Sequence, residues 1–249
     1  MLNLNLQAQK SQQTQLKFTV SLARTGTELE EVQRLRYQVF CEEMGASWHG
    51  AHDILDYDQF DYYCEHLLVR NNNDNKMVST CRILPPEQAQ ARGSYFTETD
   101  FDLSRLALIR TRMAEVSLFC SHYRYRDRAT ITELWNGLNH YMTGHSHQYL
   151  IGCVNLSMGD GGHYAASVYC KIRQQYAAPP EYRVFPHFPL PLGSLNRLGS
   201  SKHLTDVSIP PLIKYFLRQG AFVCGAPAWN SHFNTADLFM LLPLPHRGG

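Results

Sequence analysis

The chain has 249 residues, 44% of them hydrophobic and 18% charged, with a formal net charge of +1. That balance fits an ordinary globular chain of one large or two small domains, and it argues against bulk electrostatic binding to nucleic acid. No stretch approaches the roughly 18 apolar residues of a membrane helix.

Residues 1–15 are rich in Gln, Asn and Ser. They lack a basic run followed by an apolar one, so they read as a frayed N-terminus and not a signal peptide. The expected domain spans 16–245. LKFTVSLA (16–23) predicts a first strand, and Thr27 with Glu30 has the spacing of a helix-opening capping box. Val32, Leu35, Val39 and Phe40 then share one helix face. Residues 41–65 are irregular, acidic and aromatic. EHLLVR (65–70) and MVSTCRIL (77–84) flank the polar NNNDNK and predict a β-hairpin. Residues 85–112 read as a long connection of little periodicity, a length that is usually functional or partly structured.

AEVSLFCS (114–121) predicts a central strand. A basic aromatic turn follows, then an amphipathic helix over 129–143 with Ile131, Leu134, Trp135, Leu138, Tyr141 and Met142 at helical spacing. YLIGCVNL (149–156) predicts a strand, 160–176 a helix, and Pro210-Pro211 opens a further helix that ends at Gly220. AFVCG and DLFMLLPL close the chain as strands. Hairpin strands precede crossover helices, which predicts an α/β (α+β) chain with a mixed, twisted central sheet flanked by helices and a C-terminal extension.

Three features could carry chemistry. A turn that feeds a helix N-terminus offers free N–H groups and a positive dipole end, and Arg124, Arg126 and Arg128 add cations there. The turn suits a phosphate-bearing ligand or is simply a solvated basic turn. It lacks the glycines that wrap a pyrophosphate, which favours the single phosphodiester of a phosphopantetheine arm over coenzyme A. Glu115 begins an otherwise apolar strand beside this turn. It is either a base of raised pKa that deprotonates an amine or a strand-end carboxylate facing solvent. Arg36 lies on the buried face of the first helix, and Asp53, Asp56, Asp58 and Asp61 stand nearby in sequence. The group is a structural ion pair or a frame for a zwitterionic substrate, and Arg82 raises the same question.

His145-x-His147 and His49-x-x-His52 have no companion ligands, so no metal is expected. The seven cysteines are odd in number, widely spaced and without a CxxC pair, and they read as reduced thiols of a cytosolic protein. Cys120 reads as a packed strand residue, and no GxSxG, P-loop or GxGxxG motif is present.

The segment Arg34-Leu35-Arg36-Tyr37-Gln38-Val39-Phe40, with Asp56-Tyr57-Asp58-Gln59-Phe60-Asp61 after it, resembles two related groups of GNAT-fold enzymes. These are the acyl-homoserine-lactone synthases and the hemolysin-like L-ornithine N-alpha-acyltransferases of ornithine-lipid synthesis. Cys81-Arg82-Ile83-Leu84, Glu115-Val116, Leu134-Trp135-Asn136-Gly137-Leu138, Pro210-Pro211-Leu212-Ile213-Lys214 and Thr235-Ala236-Asp237-Leu238-Phe239 favour the second.

The resemblance implies a bacterial acyltransferase of lipid metabolism, cytoplasmic or peripheral at the inner membrane. It would use no bound cofactor and would move a (3-hydroxy) fatty acyl group from acyl carrier protein, or acyl-CoA, to the amine of an amino acid such as ornithine. Within that reading Glu115 is the expected catalytic residue. Arg124, Arg126, Arg128, Ser117 and Phe119 would hold the donor, and Arg36, Asp58, Asp61 and Arg82 the amine. The arm is expected in a splay between strands 114–121 and 149–156, with 85–112 as a lid over the acyl chain. The alternatives are an autoinducer-type synthase and a non-catalytic acyl-carrier-binding protein. The family usually carries Gly-Arg-Ser where this chain has Ser117-Leu118-Phe119, which implies a different amine or acyl length.

Overall fold

The computed structural model describes residues 17–45, 54–198 and 207–245. The expectations for residues 1–15, for His49 with His52 and for Asp53 fall outside them. Strand β1 (Phe18–Leu22) leads to helix α1 (Gly26–Tyr37). Its capping box is Thr25 with Glu28, two residues before the expected pair. The Ala23 N–H is still bonded to the His66 carbonyl at 2.8 Å, so the helix starts as soon as the sheet releases the chain. A π-helical turn at Gln38–Glu43 prolongs α1; in it Val39 is buried and Phe40 is half-buried.

The hairpin forms as expected, from β2 (Glu65–Asn71) and β3 (Met77–Leu84). The 85–112 connection is not a featureless lid. It holds α2 (Pro86–Arg92), three 3-10 turns and the short β4 (Phe101–Asp102). Tyr95, Phe101, Leu103, Leu106 and Ile109 anchor it to the core, because its apolar residues are spaced for turns and show no single period.

The central unit is β5 (Met113–Ser121), α3 (Arg128–Gly144), β6 (Tyr149–Ser157) and α4 (His163–Tyr176). The chain continues through β7 (Phe185–Pro186), α5 (Leu192–Leu198), α6 (Pro211–Arg218), β8 (Phe222–Val223), β9 (Ala228–Asn230) and β10 (Thr235–Pro243). The main sheet has the order β1-β2-β3-β5-β6-β10-β8, with β9 on β10, while β4 pairs β7 separately. All main-sheet pairs are antiparallel except β5–β6, so the sheet is mixed as expected.

Alternation along the strands sends apolar side chains to both faces. On one, Trp135, Leu138 and Met142 of α3 and Val168 and Ile172 of α4 meet Ala114, Val116, Val154 and Leu238. Gly137 lets α3 lie close to the sheet, since a Cβ there would stand 2.4 Å from Val20 Cγ1. On the other face Phe60, Tyr95, Phe101, Ile151 and Phe239 pack together, and Leu35 and Val39 cover Cys120. Among the described residues the cysteines are free, no group of His, Cys, Asp and Glu is placed to hold a metal, and no helix is long and apolar enough to cross a membrane.

Candidate active site

β5 and β6 run parallel and pair only from Met113↔Tyr149 to Glu115↔Ile151. Each strand continues for six residues, to Ser121 and Ser157, without pairing further. The parting begins at Gly152, where a Cβ would stand 2.4 Å from the Val116 carbonyl oxygen. β5 is also bulged. Arg82 stands opposite Ser117 and Thr80 opposite Cys120, so Leu118 and Phe119 face the single residue Cys81. Leu118 takes a left-handed conformation, φ 49°. A bulge re-aims side chains and ends pairing, and here it sits on the strand that lines the gap. The splay expected between the two strands is therefore present, and β5 beyond Glu115 has no strand partner toward β6.

The amine-binding candidates come together, largely as ion pairs. The Arg36 guanidinium donates to both Asp61 carboxylate oxygens at 2.9 Å and to the Asp56 carbonyl, with the Asp56 carboxylate 3.4 Å from its Nε. Arg82 Nη1 donates to Asp58 Oδ1 at 2.6 Å and Asp61 Oδ1 at 2.9 Å, and its Nε to the Ser117 hydroxyl at 3.1 Å. It also lies over the Phe96 ring, 4.8 Å from the centroid. Burial alone would raise the Asp61 carboxyl. The Arg36 hydrogen bonds and the charges of Arg36 and Arg82 outweigh it and hold the group well below the usual carboxylate range. His66 ends the network, its Nε2 3.4 Å from the Asp61 carbonyl, and burial lowers it to about 4. The only member that reaches the surface of the adjoining cavity is Asp58.

Glu115 departs from expectation in one respect. Burial raises its pKa, as a base requires, although hydrogen bonds from the 96–97 segment pull against it. Yet it neither faces solvent nor lies open to an incoming amine. It is fully buried, and its two oxygens accept the backbone N–H groups of Phe96 at 2.6 Å and Thr97 at 2.8 Å. It fixes the 95–99 turn against β5, with each carboxylate oxygen already accepting a backbone N–H.

The basic turn departs too. Asp127 caps α3, its carboxylate accepting the Thr130 N–H at 2.9 Å, so an acid already occupies the helix N-terminus. Arg126 donates to the Glu43 carboxylate and to the Ser121 carbonyl, while Arg124 folds back on Tyr123. Arg124 and Arg128 are exposed, and Phe119 packs at the margin of the main core.

A cavity of about 840 Å³ opens on the α1 face of the sheet. Asp58, Tyr62, Phe96, Phe188, Trp229 and Phe233 line it. Phe40 touches Phe233 edge to face at 6.2 Å. Asp100 also lines it. Sequence reading missed Asp100 because nothing sets it apart from its neighbours Glu98 and Asp102 in a connection without periodicity. It missed Asp237 as well, although an Asp inside the apolar run ADLFMLL carries the same signal that drew attention to Glu115.

The sequence model of the Acetyltransferase (GNAT) domain matches residues 35–136. An L-ornithine N(alpha)-acyltransferase of Brucella abortus (strain 2308) is 28% identical over 239 residues, covering 90% of this chain and 84% of the relative. Three further curated relatives bear the same name. Among solved structures, the AHL synthase LasI superposes with a TM-score of 0.53 at 14% identity, covering 92% of this chain and 90% of the other. FeeM, an N-acyl amino acid synthase from uncultured soil microbes, gives 0.51 at 13% identity, covering 92% of each. The expected fold and the expected resemblance both hold.

Proposed function

We propose that this acyltransferase of the GNAT fold moves a fatty acyl group from the phosphopantetheine thioester of acyl carrier protein to the α-amine of an amino acid, ornithine foremost. The observation that carries the reading is the parting of β5 from β6, together with an aromatic, carboxylate-bearing cavity on the α1 face. The arm enters the gap, with Ser117 and Phe119 on the β5 side. Its phosphodiester meets Arg124 and Arg128, with Arg126 beside them. Backbone N–H groups of β5 past Glu115 polarise the thioester carbonyl, and the amine attacks directly. Arg36, Asp58, Asp61 and Arg82 frame the amine end, and Asp58 presents the network to the acceptor.

The names of the curated relatives support ornithine as the acceptor. An acylated amino acid is amphiphilic, which suits a chain working at the cytoplasmic side of the inner membrane. The test is incubation with a long-chain 3-hydroxyacyl carrier protein and a pool of amino acids, followed by mass spectrometry. N-acyl ornithine as the main product is expected. Lactone release that depends on S-adenosylmethionine would replace this reading with the autoinducer one, and carrier binding without thioester turnover would make the chain non-catalytic.

A further inference from the structure

Sealing of Glu115 leaves the acceptor's proton without a destination, and two other carboxylates stand at the site. Asp237 on β10 is 3% exposed and accepts hydrogen bonds from Asn155 Nδ2 at 2.6 Å, Thr235 Oγ1 at 2.7 Å and Asn230 Nδ2 at 3.1 Å. All three donors are neutral, so no cation offsets the carboxylate, and burial raises its pKa against the pull of these hydrogen bonds. Asp100, in the turn before β4, is half-buried and lines the cavity. Among the described residues no salt bridge reaches either carboxylate. The charges of Asp237, Glu115 and Asp100 all bear on the thiol of Cys153, one residue past the glycine where β6 leaves β5. Of these three acids only Asp100 lines the cavity.

We propose that Asp100 receives the acceptor's ammonium and takes its proton before attack, with Asp237 as the positioning charge behind it. The step rests on the acyl-transfer reading above. One N–H bond of the ammonium breaks and its proton passes to the Asp100 carboxylate. The freed amine forms the C–N bond as the C–S bond breaks, and its second proton leaves with the thiolate as a thiol. Burial, and next the charge of Asp237, raise the Asp100 carboxyl, which makes it a better proton acceptor than a solvated aspartate. The other groups acting on it are the Thr99 hydroxyl, His187 from the segment after β7 and His232 from the β9–β10 loop.

The experiment compares the full chain with Asp100→Asn, Asp100→Glu and Asp237→Asn, measuring kcat/KM for the amine against pH with a 3-hydroxyacyl carrier protein as donor. Asp100→Asn is expected to lose about 100-fold at pH 7. The loss should shrink as pH rises and free amine accumulates, while the donor KM stays unchanged, and Asp100→Glu should restore part of the rate. Asp237→Asn should move the acid limb of the profile to lower pH, because a repelling charge is gone. An Asp100→Asn rate within threefold of wild type, or a loss that is constant with pH, overturns the proposal. So does an acid limb that Asp237→Asn leaves in place, which covers the case of an Asp100 variant that fails to fold. A wild-type chain that acylates no amine overturns the acyl-transfer reading, and the role of Asp100 falls with it.

Discussion

Two acidic groups flank the same cavity and differ in one respect. Around Asp61 every carboxylate meets an arginine: Asp56 and Asp61 pair with Arg36, and Asp58 and Asp61 with Arg82. Around Asp237 the donors are amides and a hydroxyl, and no cation pairs with it or with Asp100 among the described residues. The first group has spent its charge inside the protein and holds α1, the 56–61 loop and β3 together. The second has no cation to offset it and is raised in pKa by burial, and so has something left to offer a cationic substrate. An aspartate in a cleft is therefore informative only once its partners are counted.

The largest expected effect tests the first side. Asp61→Ala leaves two buried guanidinium groups short of a partner and should cost about 3–5 kcal/mol, read as a shifted urea midpoint. Asp100→Asn, by contrast, should stay within about 1 kcal/mol of wild type, because it removes no ion pair. Equal losses in the two variants would erase the distinction.

Acid should divide the two sides as well. Folded His66 titrates near 4, while the unfolded imidazole titrates near ~6.5. Between those values the unfolded chain binds a proton that the folded chain does not. The stability contribution is therefore complete above pH 6.5 and is lost as pH falls toward 4, by up to about 3 kcal/mol. Stability curves of wild type and His66→Asn at stepped pH should diverge over that window.

Glu115→Gln tests the anchor. A glutamine offers one acceptor and turns an NH₂ toward a backbone N–H, which should cost about 1–3 kcal/mol in a thermal melt and loosen the 95–99 turn that carries Phe96 to the cavity. Arg124→Ala is the smallest change. It should leave stability within about 0.5 kcal/mol and raise the carrier KM a few-fold, the difference fading as salt is added.

How much could be read from sequence follows the same division. Elements whose signal is local were legible: the hairpin at 65–84, the helix with Trp135 and Leu138 at helical spacing, and the apolar strands 114–121 and 149–156. The buried Arg36 was legible because an arginine on an apolar helix face demands an acid. What was not legible is long-range. Glu115 is sealed by a turn 19 residues upstream of it, at Phe96. Asp100 feels the charge of Asp237, a residue of the far C-terminal strand β10, only once the chain has folded. Capping at Thr25 rather than Thr27 depended on where the sheet lets the chain go, and Asp127 at the head of α3 turned a seemingly open helix N-terminus into a filled one.

Leu118 carries a further consequence. A bulky residue at φ 49° stores strain of order 1–3 kcal/mol, and it does so in the strand that borders the gap. Glycine there would relieve the backbone at once, so the strand that borders the gap is one place where thermostability is easily gained. Selection for heat resistance alone should find that substitution early and relax the bulge that shapes the gap. A stabilised lineage would then lose acyl transfer while its melting point rose, and reverting that one residue should bring activity back with the old fragility.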